Sequence, residues 1–372
     1  MKKILVFSLP GIGNTLMITP MLEALRVHYK DAKITVIVMY KSCKEILEGN
    51  LNVDEVILFE FIKQGYIKSL KFLYKLSKEK FDISIMPHPS NELYYTLVSF
   101  FSRAKIKIGH RYPYFSMNLS YKYPYFKITS LSFLYNKTIS LGSKHEVDEN
   151  LDLIKLLGIN PVKVKKKFFL TLEKSNSEFV LKFLKDNKIN GLKIGIHPGA
   201  SKYAGMQNKR WPKDKYIELC DYLIENYKAN ILIFGGDDEN DLKQSIRQNV
   251  KNRNNVFLVS TQSIKDAAAV IGKCDFFITN DTGLMHIAAT LDVLTIAISG
   301  AVDYRRTHPL NKKSAVVYHD ISCYPCYRFG ENLECKRKEK DYACLKYISI
   351  YNVVMLLEKL KNGSKGPIIE KV

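Results

Sequence analysis

The stretch that decides the fold is Asn280-Asp281-Thr282-Gly283-Leu284-Met285-His286, which directly follows an apolar run at 276–279. The pattern predicts a buried strand that turns into a helix. A helix N-terminus presents about four unpaired N–H groups and roughly half a positive charge, so a diphosphate is stabilised there. Asp281 either serves hydroxyl groups of such a ligand or, like Thr282, only caps the helix. Both alternatives are open on these residues alone.

A second loop suited to phosphate, His197-Pro198-Gly199-Ala200-Ser201, follows a strand pattern at 193–196. Gly199 lets the backbone approach a ligand closely, Ser201 offers a hydroxyl, and the cations of Lys209-Arg210-Trp211-Pro212 can reach phosphate oxygens. Two such loops in one domain predict a nucleotide-diphosphate site. The helix opened by Pro212 is amphipathic. Its predicted apolar face consists of Tyr216, Leu219, Cys220, Leu223 and Ile224.

Four strings, in this order and spacing, carry a family resemblance. They are HPGAS (197–201), KRWP (209–212), GGDDE (235–239) and NDTGLMH (280–286). Together they resemble glycosyltransferase family 9, the heptosyltransferase family of lipopolysaccharide assembly. The segment Gly11-Ile12-Gly13-Asn14 through Pro20 resembles the first strand-loop-helix unit of that family, so the resemblance covers nearly the whole chain. It implies an α/β fold of GT-B type, with two Rossmann-like doubly wound parallel-sheet domains facing across a cleft.

Alternating strand-like and helix-like segments agree with two parallel sheets. The predicted strands lie at 3–9, 33–38, 55–59, 81–86, 105–109, 193–197, 230–234, 255–259, 275–279 and 294–298. The predicted domains are an acceptor-binding domain at 1–165, a linker at 166–191, a nucleotide-sugar donor domain at 192–345, and a helix and tail at 346–372. As this fold usually has it, the last helix is expected to pack back on the N-terminal domain.

The resemblance implies an inverting glycosyltransferase that moves a sugar, by analogy a heptose, from a nucleotide-diphosphate donor. The acceptor is a saccharide or a lipid-linked saccharide in lipopolysaccharide or cell-surface glycan assembly. Lys209 and the helix N-terminus at Thr282-Gly283 would stabilise the departing diphosphate, with no metal required. Glu239 is a candidate acceptor of ribose hydrogen bonds. The donor-binding residues that we predict are Gly199, Ser201, Lys209, Glu239, Asp281, Thr282, Gly283 and His286.

The general base is the main departure from the family pattern. The acceptor-side loop consists of Gly11, Gly13 and Asn14. Family members commonly carry an aspartate where this chain has Asn14, and an amide cannot take a proton at neutral pH. His88 is the first candidate to replace it, although it can equally be a structural turn histidine; His110 and Glu92 are further candidates. Otherwise Asn14 only orients the hydroxyl while the diphosphate or solvent takes the proton, or the chain is a weak or silent nucleotide-sugar-binding homologue. A nucleotide-sugar epimerase of similar fold is a separate alternative.

Four cysteines near the C-terminus form a separate constellation, Cys323-x2-Cys326-x8-Cys335-x8-Cys344. Four thiolates that include one tight pair can hold zinc or ligate an iron–sulfur cluster. The resemblance suggests a structural clip on the loop before the last helix, because similar tails occur in part of the family. Reduced thiols or a disulfide are the alternatives.

The net charge of +20 over 372 residues indicates an anionic partner. Nucleic acid is not expected, because no zinc-finger spacing, RNP-like motif or basic heptad helix is present. Segment 111–135 carries nine aromatic residues among several cations, which suits a lipid interface or sugar stacking, unless the rings pack under a long loop. No run reaches the roughly 18–20 apolar residues of a membrane span. We therefore expect a cytoplasmic protein, peripheral at the inner face of the membrane.

Overall fold

The computed structural model describes residues 1–90, 93–112 and 132–372. The chain forms two compact units. The first comprises Met1–Thr171 with Phe329–Glu331, and the second comprises Leu172–Arg328 with Asn332–Val372. The segment 172–191, expected to be part of a linker, belongs to the second unit and contains an α-helix at Lys174–Asp186.

The first unit is built on a six-stranded sheet in the order β3-β2-β1-β4-β5-β6, and its paired strands run parallel. Its strands are β1 Lys3–Ser8, β2 Lys33–Val38, β3 Glu55–Leu58, β4 Ile83–Met86, β5 Ile106–Arg111 and β6 Lys137–Ser140. Its helices are α1 Ile12–Met17, α2 Thr19–His28, α3 Lys41–Leu47, α4 Phe61–Lys78, α5 Leu93–Phe101 and α6 Glu146–Lys155. β1 and β2 are buried after their first residue, as expected for strands covered on both faces.

The second unit holds a seven-stranded parallel sheet in the order β13-β12-β11-β10-β7-β8-β9. Its strands are β7 Lys193–His197, β8 Asn230–Ile233, β9 Val256–Leu258, β10 Phe276–Asn280, β11 Leu294–Ser299, β12 Ser314–Tyr318 and β13 Ile368–Lys371. Its helices are α7 Lys174–Asp186, α8 Lys213–Tyr227, α9 Asn240–Asn249, α10 Ile264–Ile271, α11 Gly283–Thr290, α12 Tyr304–Thr307, α13 Ala343–Lys346 and α14 Ile350–Lys361.

Each of the ten predicted strands is present with its ends shifted by no more than two residues. The predicted apolar face of α8 is also confirmed, because all five of its residues are buried. The strands that the sequence pattern did not indicate are β6, β12 and β13. β6 and β13 lie at sheet edges, where four-residue strands with lysine and glutamate or serine leave little apolar signal.

The closing helix, α14, differs from the expectation that it packs on the N-terminal domain. Val353, Leu356 and Leu357 are buried in one core cluster with Ile296 of β11 and Val317 of β12, all within the second unit. The helical spacing of these apolar residues places them on one face, which the unit's own sheet covers. The helix is thus part of the core of the second unit.

Each sheet has a switch point, which is a pair of neighbouring strands from which later strands of the chain are added outward, toward opposite edges of the sheet. In the first unit it lies between β1 and β4, and in the second between β7 and β10. Ligands of open parallel α/β sheets bind outside the carboxyl ends of the strands at such points. These two places are therefore where functional side chains are sought.

Candidate functional site

The β7/β10 switch point brings together the two loops singled out by sequence. β7 and β10 pair with Thr279 opposite His197, so the residues that follow each strand emerge side by side. The loop after β7 contains Gly199 and Ser201, and the loop after β10 contains Asp281, Thr282 and Gly283. The carboxyl edge of this sheet therefore gathers most of the predicted donor-binding set.

Asn280 ties these loops to each other from a fully buried position. Its Nδ2 donates to the carbonyl oxygens of Pro198 and Gly199 at 2.9 and 3.0 Å. Its Oδ1 accepts from the backbone N–H of Trp211 and the hydroxyl of Tyr216, both at 3.0 Å. A buried amide paired in this way fixes the relative position of three segments. Sequence reasoning quoted Asn280 in the motif but assigned it no role.

Glu239 lies beneath the loop after β7 and is only 6% exposed. Its Oε2 is 3.2 Å from His197 Nε2 and accepts from the N–H of Gly236 at 3.1 Å, while Oε1 is 3.4 Å from Arg210 Nη2. Burial by itself would raise the pKa of Glu239. The hydrogen bond with His197, the charges of His197 and Arg210 and the Gly236 N–H outweigh burial and lower that pKa. The carboxylate is thus ionised and engaged internally, and its predicted contact with ribose stays a prediction.

Gly199 is required by this packing as well as by any ligand. A Cβ at position 199 would lie 1.9 Å from Glu239 Oε1, which is far inside van der Waals contact. The carboxylate therefore occupies the space that a side chain would take. Sequence reasoning had explained this glycine by ligand approach alone.

Lys209 and Asp281 form an ion pair ahead of α11. Lys209 Nζ is 3.2 Å from Asp281 Oδ2 and 3.4 Å from its carbonyl oxygen, and the side chains are 16% and 9% exposed. The N-cap of α11 is Thr282, and in the described structure its side chain makes no capping hydrogen bond. Its hydroxyl lies 3.0 Å from His197 Nδ1 instead. A cation and a helix N-terminus thus stand at the same edge of the sheet.

The remaining donor-side predictions lie nearby in different surroundings. Gly283 is the first residue of α11, and His286 is 3% exposed in the first turn of that helix. Ser201 is exposed, and its hydroxyl accepts from the backbone N–H of Tyr203 at 3.1 Å. The predicted donor set therefore includes surface, half-buried and buried groups.

The β1/β4 switch point of the first unit holds the acceptor-side predictions. Asn14 follows β1 and lies in α1, and His88 follows β4. Both contact Glu146, the first residue of α6: Asn14 Nδ2 donates to Glu146 Oε2 at 3.1 Å, and His88 Nε2 is 3.6 Å from Glu146 Oε1. Sequence reasoning missed Glu146, because 132 positions separate it from Asn14 and no local motif connects the two.

His88 is held firmly in its place. Its side chain is 2% exposed, and its Nδ1 is 2.9 Å from the hydroxyl of Tyr112. Its backbone N–H donates to Asn150 Oδ1 at 2.7 Å, and Asn150 Nδ2 donates back to the His88 carbonyl at 3.2 Å. Burial raises the pKa of Tyr112 far above its ordinary value, so this phenol stays protonated. The ring of His110 is 6.0 Å from that of His88.

Two predictions fall wholly or partly outside the described residues. Glu92 is one, and most of the aromatic segment 111–135 is the other, since 113–131 are not described. Nothing in the structure bears on their roles.

The C-terminal cysteines are free thiols. Among the described residues, no group of three or more His, Cys, Asp or Glu is arranged to hold a metal ion. Burial, together with the nearby thiols of Cys326, Cys323 and Cys335, raises the pKa of Cys344 to about 12. The predicted zinc or iron–sulfur site is therefore not supported by the arrangement of the described residues.

Comparisons with known proteins agree with the geometry of both units. A family model described as glycosyltransferase family 9 (heptosyltransferase) matches residues 70–337. Lipooligosaccharide heptosyltransferase 2 of Campylobacter jejuni subsp. jejuni serotype O:2 is 28% identical over 380 residues, covering 98% of this chain and 99% of that protein. The match therefore runs over the full length of the relative.

Two solved structures are similar in fold. The family 9 glycosyl transferase of Veillonella parvula superposes with a TM-score of 0.76 at 22% identity and covers 98% of both chains. The E. coli heptosyltransferase WaaC with ADP superposes with a TM-score of 0.64 at 17% identity, covering 96% of this chain and 99% of that one. With the two parallel sheets, these similarities confirm the predicted GT-B type fold.

Proposed function

The chain belongs to glycosyltransferase family 9 and is a glycosyltransferase, and from this premise we propose that it moves a heptose from an ADP-activated donor to a lipid-linked saccharide. The observation that carries the proposal is the paired loop at the β7/β10 switch point, with the Lys209–Asp281 ion pair directly ahead of α11. Both features suit a diphosphate. The names of the relatives, among them lipooligosaccharide heptosyltransferase 2, support a role in lipopolysaccharide assembly, and a place at the cytoplasmic membrane face is part of the same proposal.

The donor diphosphate binds at the N-terminus of α11 in this proposal. The N–H groups of Thr282 and Gly283 and the ammonium of Lys209 meet its oxygens. Lys209 then gives up part of its ion pair with Asp281, and the Asp281 carboxylate accepts a hydrogen bond from a hydroxyl of the nucleotide-sugar donor. Support for adenine as the base comes from the E. coli heptosyltransferase WaaC, whose solved structure contains ADP.

The reaction that we propose is a direct displacement at the anomeric carbon. The acceptor oxygen forms a bond to that carbon as the bond to the diphosphate oxygen breaks, and the configuration inverts. Charge builds on the leaving diphosphate, where Lys209 and the helix N-terminus stabilise the transition state more than the ground state. His197, Glu239 and Asn280 act indirectly by holding the two loops in place.

The test is turnover with defined substrates. The purified chain is mixed with ADP-heptose and lipopolysaccharide core from heptose-deficient cells, and ADP release and acceptor mass are both followed. The proposal expects ADP release that requires the acceptor, with the acceptor gaining one heptose residue. Free sugar formed without acceptor would favour the epimerase alternative. ADP binding without any product would favour the silent homologue.

A further inference from the structure

We propose that Glu146 is the general base that takes the proton from the acceptor hydroxyl, an assignment that rests on the transferase function proposed above. A displacement by a sugar hydroxyl needs a group that accepts its proton as the new bond forms. Asn14 cannot do so because its amide is not basic. Glu146 is the carboxylate in hydrogen-bond contact with Asn14.

The position of Glu146 follows from three elements that converge at one sheet edge. Asn14 comes from the segment after β1 and His88 from the segment after β4, the two strands that define the switch point. Glu146 comes from the first turn of α6 and meets both residues. It therefore lies where ligands of a parallel α/β sheet bind.

The hydrogen bonds around His88 determine which form of its ring faces Glu146. The Tyr112 hydroxyl oxygen accepts a hydrogen bond from the backbone N–H of Ser90 at 2.7 Å. The hydroxyl proton has two possible acceptors, His88 Nδ1 at 2.9 Å and Ser90 Oγ at 3.2 Å, and His88 Nδ1 is the nearer. With Nδ1 accepting, Nε2 carries the ring proton and faces Glu146 Oε1 at 3.6 Å. This tautomer is assigned from the distances.

The Asn14 amide donates to one oxygen of Glu146, and His88 Nε2 lies 3.6 Å from the other, so two polar groups orient the carboxylate that accepts the proton in this proposal. His88 is held in place instead, because its backbone N–H donates to Asn150 Oδ1 and its Nδ1 lies 2.9 Å from the Tyr112 hydroxyl. Asn14 is more exposed than His88 and Glu146, so substrate reaches these three residues from the side on which Asn14 lies. Asn14 and His88 are therefore positioning residues.

The step balances without a further reactant. The acceptor O–H proton passes to a Glu146 oxygen, the acceptor oxygen bonds to the anomeric carbon, and the nucleoside diphosphate leaves with the electron pair of the broken C–O bond. Protonated Glu146 returns its proton to water after the product departs.

A carboxylate swap tests this assignment. Glu146→Gln should lower kcat/KM by about 10²–10⁴-fold while ADP affinity stays unchanged. Because Asn14 Nδ2 and Glu146 Oε2 are 3.1 Å apart, Asn14→Asp puts a carboxylate beside the lost one, and Asn14→Asp/Glu146→Gln should recover at least tenfold of the loss. The acidic limb of the pH–kcat/KM profile should disappear in Glu146→Gln. His88→Gln, which keeps a polar donor, is the matched positioning variant and should retain that limb.

Near wild-type turnover in folded Glu146→Gln would overturn the assignment, and so would a double variant no better than the single one. Wild-type protein that binds ADP but forms no product would overturn the proposed transferase, and the assignment with it. These two failures are distinguishable because calorimetry of ADP binding does not depend on the base.

A second, independent observation is the outer face of α4, which we infer to be a docking surface for anionic lipid. Tyr66, Leu70 and Tyr74 repeat at four-residue spacing and are 91%, 60% and 64% exposed. Ile67, on the same side, is 72% exposed. The opposite side of the helix is already used, because Leu73 and Leu76 are buried in the core of the first unit. α4 thus presents a second apolar stripe to solvent.

The positive charge of α4 indicates that the partner of this surface is anionic. The stretch Phe61–Lys78 contains five lysines and no aspartate or glutamate. At 100° per residue, Lys68, Lys71, Lys75 and Lys78 form a row beside the apolar stripe. An apolar stripe bordered by lysines is the arrangement that lies in a lipid interface, with the ammonium groups at anionic headgroups. In the described part of the chain no helix is long and apolar enough to cross a bilayer.

Vesicle co-sedimentation tests this surface without any sugar substrate. Wild-type protein should sediment with phosphatidylglycerol/phosphatidylcholine vesicles, less so as salt rises, and little with phosphatidylcholine alone. Tyr66→Ser/Leu70→Ser/Tyr74→Ser and Lys71→Gln/Lys75→Gln should each weaken binding by about tenfold or more. Leu181→Ser, at a 61% exposed position on α7, is the matched control and should bind as wild type does.

Equal binding by the wild type and the triple variant would overturn the inference, as would absence of binding to the charged vesicles. Light scattering without lipid tests a different partner. If the wild type is a dimer and the triple variant a monomer, the apolar stripe binds a second copy of the chain instead.

Discussion

The two switch points of this molecule are built in different ways. At β7/β10 the site comes from residues that immediately follow two adjacent strands, and Asn280 joins them. At β1/β4 the corresponding loops meet Glu146, which arrives from a distant helix. The comparison teaches that the two strand–loop–helix segments at β7/β10 are encoded locally, whereas the carboxylate beside Asn14 is supplied by a helix far away in the sequence.

Among substitutions at the β7/β10 site, removing the cation should have the largest effect on activity. Lys209→Ala should lower kcat by about 10²–10³-fold, because a preorganised donor at the leaving diphosphate is lost. ADP affinity should fall as well, since the same ammonium binds the ground-state diphosphate. Lys213→Ala is the control, as Lys213 is exposed and its ammonium donates to Ser245 Oγ at 3.1 Å. Equal kinetics for the two variants would remove Lys209 from the mechanism.

Removing the amide that joins the loops should mainly cost stability. Asn280→Ala leaves the buried Trp211 N–H without its acceptor and the Tyr216 hydroxyl with the His197 carbonyl at 3.3 Å, and it frees the carbonyls of Pro198 and Gly199, so the free energy of unfolding should fall by about 2–4 kcal/mol. Asn226→Ala, whose exposed amide bonds one carbonyl in its own helix, should change it by less than about 0.5 kcal/mol. Urea denaturation of both variants measures this, and a loss below 1 kcal/mol for Asn280→Ala would contradict the joining role.

Gly199, in the loop after β7, and Gly11, after β1, allow the same glycine-to-alanine substitution in crowded and in open surroundings. Gly199→Ala drives a Cβ to 1.9 Å from Glu239 Oε1 and should destabilise by about 1–3 kcal/mol. At Gly11 nothing lies within 4 Å of a built Cβ and its φ is −75°, so Gly11→Ala should be nearly neutral for stability. Thermal unfolding of the two variants checks the contrast. Similar melting temperatures would mean that the Glu239 carboxylate moves aside at little cost.

The smallest expected effect is a pH dependence from Glu239. Its folded pKa lies below its ordinary value of 4.5, so its contribution to stability is present above that value and is lost as the pH falls through the lowered pKa. The melting temperature of the wild-type protein should therefore fall more between about pH 5 and pH 3 than that of Glu239→Gln. Parallel curves for the two proteins would show that the pairing with His197 adds nothing to stability.

Much of the donor side could be predicted from sequence, and little of the acceptor side could. Apolar runs followed by glycine, serine and threonine identify β7 and β10 and their loops, because strand, turn and helix signals are local. The contact between Asn14 and Glu146 depends on where α6 packs, which no local pattern encodes. For the same reason the sequence pattern predicts a linker where α7 lies, since only Asn176 and Val180 of that helix are buried.

Nucleotide binding tests the account's central claim, a diphosphate site at the β7/β10 switch point, most directly. Calorimetry with ADP, UDP and GDP on the wild type, Asp281→Ala and Lys209→Ala should show selective binding of ADP by the wild type and its loss or strong weakening in both variants. Folding of each variant is checked by its melting temperature. Absence of nucleotide binding by folded wild-type protein, or binding unaffected by both substitutions, would contradict the site described here.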